Sequence, residues 1–147
     1  LLHDDQRRAL VEDPSLVEPA VEEIMRMSVP VDDTFPRYAR ADIEIAGVTI
    51  RAGELVLLPP SVVNRDPEVF PDPDRFDIRR RSEHPHLGFG HGPHYCVGAA
   101  LARLELRTVF GKLFHRIPGL RLAVPLEELR INEDRFTGGL VELPVTW

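Results

Sequence analysis

The stretch from Phe89 to Gly98 reads Phe-Gly-His-Gly-Pro-His-Tyr-Cys-Val-Gly, and a strong helical pattern begins at its end, near Val97. A glycine-rich loop that delivers straight into a long helix fixes the local fold tightly. Gly90, Gly92 and Gly98 admit positive φ and close backbone approach, while Pro93 stiffens the segment. The loop also carries Cys96, the single cysteine of the chain. A thiol at the mouth of a helix meets unpaired N–H groups and the positive end of the helix dipole, which favour the thiolate. A thiolate ligates a metal or attacks an electrophile. A lone cysteine is also commonly an inert, buried small side chain.

The loop suits a metal held in a large flat cofactor better than a nucleophile. Phe89 offers an aromatic wall, and backbone N–H groups after the cysteine can tune its sulfur. A zinc module on His91, His94 and Cys96 is an alternative, with His84 and His86 just upstream. Those spacings match no common four-ligand pattern, and a second cysteine is absent. A cysteine nucleophile would need a base, and nothing in the chain marks one.

The spacing Phe-Gly-x-Gly-x-His-x-Cys-x-Gly resembles the haem-binding signature of the cytochrome P-450 family of haem-thiolate monooxygenases. Phe89, Gly90, Gly92, His94, Cys96 and Gly98 fill its fixed positions. The resemblance implies that Cys96 is the proximal axial ligand to the iron of haem b. It puts Phe89, Gly90, His94 and Gly98 in cofactor-binding positions. Glu23-Ile24-Met25-Arg26 is similar to the family's Glu-x-x-Arg helix, and Pro73-Asp74-Arg75-Phe76 to its Pro-x-Arg-Phe segment. These imply a buried structural triad of Glu23, Arg26 and Arg75. Residues three apart share a helix face, and an arginine fork suits a carboxylate bidentately. His94 and Arg37 stand at positions that face the haem propionates in the family, with Arg40 as the neighbouring alternative. Asn64-Arg65-Asp66-Pro67 and Phe70-Pro71-Asp72-Pro73 look like the soluble bacterial branch.

The remaining chain is read for organisation. Leu2 to Val11 patterns as a helix stopped by Asp13-Pro14, and a second helix runs to about Met27. Ser15 and Glu18 are spaced as a capping box for that second helix, with Pro19 pushing its start later. Apolar alternation from Ile43 to Leu58, with turns at Ala46-Gly47 and Ala52-Gly53, predicts a small antiparallel meander. Pro59 to His86 is long for a connection, which predicts a functional or tightly packed loop. The helix from Val97 to about Arg116 carries one apolar arc of Leu106, Val109, Phe110, Leu113 and Ile117. A second arc holds Val97, Leu101 and Leu104, so burial on two sides is expected. Short strands are expected around Phe136 to Gly139. The expected fold class is mainly α with small antiparallel β-sheets (α+β), and the resemblance implies the C-terminal part of the cytochrome P-450 fold.

The chain of 147 residues fits one domain and carries a net charge of −6, which argues against nucleic-acid binding. One cysteine excludes an internal disulfide and fits a reducing compartment, and no apolar run reaches membrane-spanning length. Cytoplasmic localisation away from the membrane follows as an expectation. The chain starts at Leu1 without a capping residue, so residues 1–147 read as a C-terminal fragment of a single domain, with the N-terminal part and distal helix absent.

For the intact protein the resemblance implies a monooxygenase that inserts one oxygen atom of dioxygen into a small-molecule substrate. Electrons come from a ferredoxin or flavoprotein donor. Arg79, Arg80, Arg81, Arg103 and Arg107 would supply positive charge for that partner. No catalytic acid or base can be named, and what remains of a substrate pocket would be Val29 to Pro36 and Phe136 to Gly139. The fragment alone is expected to be inactive. A non-enzymatic remnant and the zinc module are the readings from other classes.

Overall fold

A computed structural model describes residues 1–28, 36–132 and 138–147. Helix α1 spans Asp4–Glu12, with Asp4 and Asp5 complementing the positive end of its dipole. The Asp13 carboxylate then accepts the Ser15 N–H at 2.9 Å and opens a tight turn, Pro14–Leu16, that runs directly into α2, Val17–Met27. The expected Ser15/Glu18 capping box is therefore replaced by Asp13. Pro19 sits inside the first turn of α2 rather than delaying it, because an N–H there has no intrahelical acceptor to lose.

Helix α2 is the hub of the fold. Ala20 packs with Leu10, Leu16, Ile78, Phe114 and Leu120 in one buried cluster. Met25, farther along the same helix, packs with Phe89 and Ala99 in a second.

The strands depart from the expected meander. Strands β1 (Arg37–Tyr38), β2 (Ile43–Ile45), β3 (Val48–Ile50) and β4 (Leu55–Val56) form two separate antiparallel pairs, β2 with β3 and β1 with β4. Ala46 and Gly47, at φ 50° and 78°, close the β2–β3 hairpin as a two-residue loop. Asp42 accepts the Ala52 N–H at 2.9 Å and an Arg51 guanidinium N–H at 2.8 Å. This turns the chain back so that β4 meets β1 instead of β3.

The segment after β4 contains only a short helix, α3 (Pro60–Val63), yet it is fixed by the buried Asn64, Phe70 and Ile78. The expected single helix from Val97 is two: α4 (Ala99–Phe110) and α5 (Leu113–Arg116). Gly111 and Lys112 interrupt it, and Lys112 leaves helical geometry at φ −126°. Gly111 passes so close to the Arg107 carbonyl that an added Cβ would stand 2.8 Å from it.

Burial on two sides is also corrected. Leu106 and Phe110 pack inward, but Leu101 and Leu104 are 59% and 62% exposed, Val109 is half exposed and Val97 fully so. One apolar stripe of α4 has no cover among the described residues. The tail forms β5 (Arg121–Leu122) paired with β6 (Val145–Thr146), plus an Ile131–Leu140 bridge. Of the expected pocket remnants, residues 29–35 and 136–137 lie outside the described residues, and with them half of the strand region expected at 136–139. No described helix is long and apolar enough to cross a membrane.

Candidate functional site

The loop that carries Cys96 is held by its own backbone. The Gly90 N–H donates to the Leu87 carbonyl at 2.9 Å, and the Cys96 N–H to the Phe89 carbonyl at 2.9 Å. Gly90 and Gly92, at φ 74° and 73°, supply the left-handed turns this path requires. A single tight turn, Gly92–His94, precedes Cys96, and α4 begins at Ala99, two residues later than expected. Cys96 is a free, exposed thiol. Phe89 is buried behind it, whereas His94, Gly90 and Arg37 are exposed and Gly98 is half-buried.

A flat metal cofactor fits this donor set. One soft sulfur ligand stands exposed just before α4, next in the chain to the uncovered Val97 and one turn ahead of the likewise uncovered Leu101. Gly98 has an ordinary negative φ, and an added Cβ would rest in normal contact 3.8 Å from the Cys96 sulfur. The chain's own packing therefore does not demand glycine there, while close approach of a planar ligand would. Two cavities, of about 490 and 370 Å³, lie elsewhere and do not include Cys96. The zinc alternative fails on geometry. Among the described residues no three His, Cys, Asp or Glu side chains gather as a metal site. His91 is extended and the Gly92–His94 turn intervenes before Cys96, which keeps the three side chains from converging.

Behind the loop, two neighbouring glutamates of α2 organise the support. Glu23 receives Arg26 bidentately at 2.7 and 2.9 Å, with both side chains almost wholly buried. The second guanidinium on Glu23 is that of Arg80, at 3.1 Å to both oxygens, and the Asp77 N–H adds a bond at 2.9 Å. The Arg75 side chain, expected there, is on the surface. Its backbone carbonyl accepts instead from Arg26 and Arg80, at 3.4 and 2.9 Å. Position 80 wins because the chain between Asp72 and Asp77 turns the Arg75 carbonyl inward, toward the cluster. Arg26 also lies over the Phe70 ring, 5.4 Å from its centroid. Burial pushes the Glu23 carboxyl up, but the hydrogen bonds from Arg26, Asp77 and Arg80 outweigh it and hold it below the usual carboxylate range.

Glu22 receives Arg103 of α4 bidentately at 2.7 and 2.9 Å, and this hydrogen-bonded guanidinium holds its carboxyl below the usual range. Glu18 and Arg107 pair at 2.6 Å one turn away, so two cross-links join α2 and α4 in antiparallel order. His86, buried, meets Glu22 through Nε2 at 3.2 Å, and its Nδ1 accepts the Gly88 N–H at 3.0 Å. An accepting Nδ1 means that Nε2 carries the proton and donates to Glu22. Burial holds the His86 pKa below its ordinary value despite Glu22. Asn64, fully buried, donates to the Arg26 carbonyl at 3.1 Å and accepts the Leu87 N–H at 2.7 Å, tying α2 to the base of the loop.

Sequence reading missed Glu22 and the structural roles of Asn64, Arg80 and His86. The one available signal was the four-residue spacing of Glu18 and Glu22 on α2, matched by Arg103 and Arg107 on α4. The expected docking charge is also reduced. Arg80, Arg103 and Arg107 are spent on Glu23, Glu22 and Glu18, leaving Arg79 and Arg81 exposed.

The family model for Cytochrome P450 matches residues 7–126. The chain is 52% identical, over its whole length, to the Cytochrome P450 BJ-1 homolog of Sinorhizobium fredii, of which it covers 37%. It is likewise 52% identical to Cytochrome P450 105A3 of Streptomyces carbophilus, covering 36% of it. The chain thus spans little more than a third of the length of these curated relatives. All of it superposes on the LnmA cytochrome P450 hydroxylase of Streptomyces atroolivaceus with a TM-score of 0.90 at 47% identity, covering 38% of that chain. The match to cytochrome P450 MoxA of Nonomuraea recticatena has a TM-score of 0.92 at 46% identity, over 99% of this chain and 36% of that one. With the cysteine loop, the buried Glu23–Arg26 pair and these matches together, the chain belongs to the cytochrome P450 family.

Proposed function

We propose that this chain is the C-terminal, haem-binding part of a single-domain monooxygenase, with Cys96 as the axial thiolate. The observation that carries the reading is a free, exposed thiol on a backbone-locked loop that leads into α4, a helix whose Leu101 and Leu104 are also uncovered. When bound, a haem with a thiolate ligand supplies activation of dioxygen for insertion of one oxygen atom into a substrate. The chain's own part is to hold and orient. Phe89 walls the loop, and Gly90 and Gly98 leave room for a disc. The side chains of His94 and Arg37 are exposed and can meet carboxylates such as haem propionates. Among the described residues none can be named as a catalytic acid or base, and the isolated chain is inactive.

The small-molecule substrate is bound mainly by segments beyond this chain. Electrons come from a ferredoxin or flavoprotein, and the protein works in the cytoplasm. The test is the full-length protein beside Cys96→Ser: reduced and exposed to carbon monoxide, the parent gives a thiolate-type Soret band and the variant does not. An identical band from both would end the assignment of Cys96.

A further inference from the structure

We propose that Arg103 is a positioning residue for the cysteine loop, with Glu22 and His86 as its support. The guanidinium of Arg103 lies over the Phe89 ring, 4.6 Å from its centroid, and donates to the Tyr95 hydroxyl at 2.9 Å. Both of those residues act directly on the Cys96 backbone. Phe89 provides the carbonyl that accepts the Cys96 N–H, and Tyr95 is its immediate neighbour in the chain. The two rings also meet edge to face at 6.3 Å, so the fork fixes a pair that already contacts itself.

The fork is itself held from behind. Glu22 grips it bidentately, and His86 engages one oxygen of Glu22 while accepting the Gly88 N–H. A closed circuit results: Glu22, His86, Gly88, Phe89, Arg103 and back to Glu22. Its one rigid consequence for chemistry is the position of the Cys96 backbone, and hence of the sulfur. A surface arginine paired only with Glu22 would link two helices. An arginine that also touches Phe89 and Tyr95 sets the loop.

This inference rests on Cys96 being the iron ligand only for its effect on haem; its effect on the loop can be read without haem. The full-length protein is compared with Arg103→Lys, which keeps the charge but loses the planar fork, and with Tyr95→Phe, which loses one bond. Amide hydrogen exchange at Cys96 is expected to quicken by at least about tenfold in Arg103→Lys, the equivalent of one lost charge-assisted hydrogen bond. Tyr95→Phe gives a smaller acceleration, and exchange at Leu10 in α1 is unchanged in both. Loaded with haem, Arg103→Lys shows a reduced fraction of the thiolate-type carbon monoxide complex. Unchanged exchange at Cys96, or acceleration at Leu10 by the same factor, would overturn the proposal. If Arg103→Lys does not fold, Tyr95→Phe decides alone. A parent without the thiolate band but with the exchange pattern intact sinks the haem assignment and spares this one.

Discussion

Glu22 and Glu23 are adjacent in the chain and each grips a guanidinium bidentately, yet they do different work. The Glu23 side chain is 1% exposed and is enclosed by Arg26, Arg80 and the Asp77 N–H. Glu22 is 36% exposed and reaches Arg103 and His86 at the edge of α4. Successive residues on a helix point about 100° apart, so one carboxylate enters the scaffold and the other borders the loop. Burial then sets the energetics. A buried carboxylate cannot lose a partner without stranding charge, whereas water softens the same loss at the edge. The contrast separates a residue that holds the fold from one that tunes the loop.

The contrast breaks most visibly at Glu23. Glu23→Gln leaves Arg26 and Arg80 uncompensated and is expected to lower stability by about 3–5 kcal/mol in urea unfolding of the full-length protein, while Glu22→Gln costs about 1 kcal/mol or less. Equal losses would mean that burial does not distinguish the two. Next in size is Gly88→Ala, because an added Cβ would stand 2.7 Å from the Met25 carbonyl and 3.0 Å from His86 Nδ1. A cost of about 1–3 kcal/mol follows for such overpacking, to be checked by thermal unfolding.

Acid sharpens the comparison further. His86, Glu22 and Glu23 all have folded-state pKa values held below their ordinary ones, so the unfolded chain takes up each proton first and stability falls with falling pH. The loss begins near the ordinary histidine value of 6.5 and continues below the ordinary glutamate value of 4.5. Protonated His86 cannot accept the Gly88 N–H, and it would face Arg103 and Arg26, with Glu22 alone favouring the charge. His86→Gln should flatten the limb between pH 6.5 and 5, a slope of at most about 1.4 kcal/mol per pH unit. An unaltered slope in that window would remove His86 from the account. The smallest effect is at Arg75, whose side chain lies outside the cluster: Arg75→Ala should change stability by less than about 0.5 kcal/mol. A loss near that of Glu23→Gln would restore Arg75 to the buried group.

The local chemistry was legible in the sequence because it is written in contiguous residues. The loop from Phe89 to Gly98 declares its turns through Gly90 and Gly92, and the Glu23–Arg26 spacing puts both side chains on one helical face. Which guanidinium completes that cluster was not legible. Arg75 and Arg80 are five residues apart in an irregular segment without periodicity, and only the path of the chain chooses between them.

The strand pairing and the helix break have the same origin. Alternation announced strands near Ile43 to Val56 but not that β4 would return to β1, and the apolar pattern ran across Gly111 without showing the interruption. Sequence alone determined the thiol, its glycine-built loop and the family that these imply. Tertiary structure decided which charges are spent inside, which apolar stripe of α4 stays uncovered and how Arg103 reaches the loop. The reason is that local spacing fixes backbone turns, whereas partners far apart in the chain are chosen by packing.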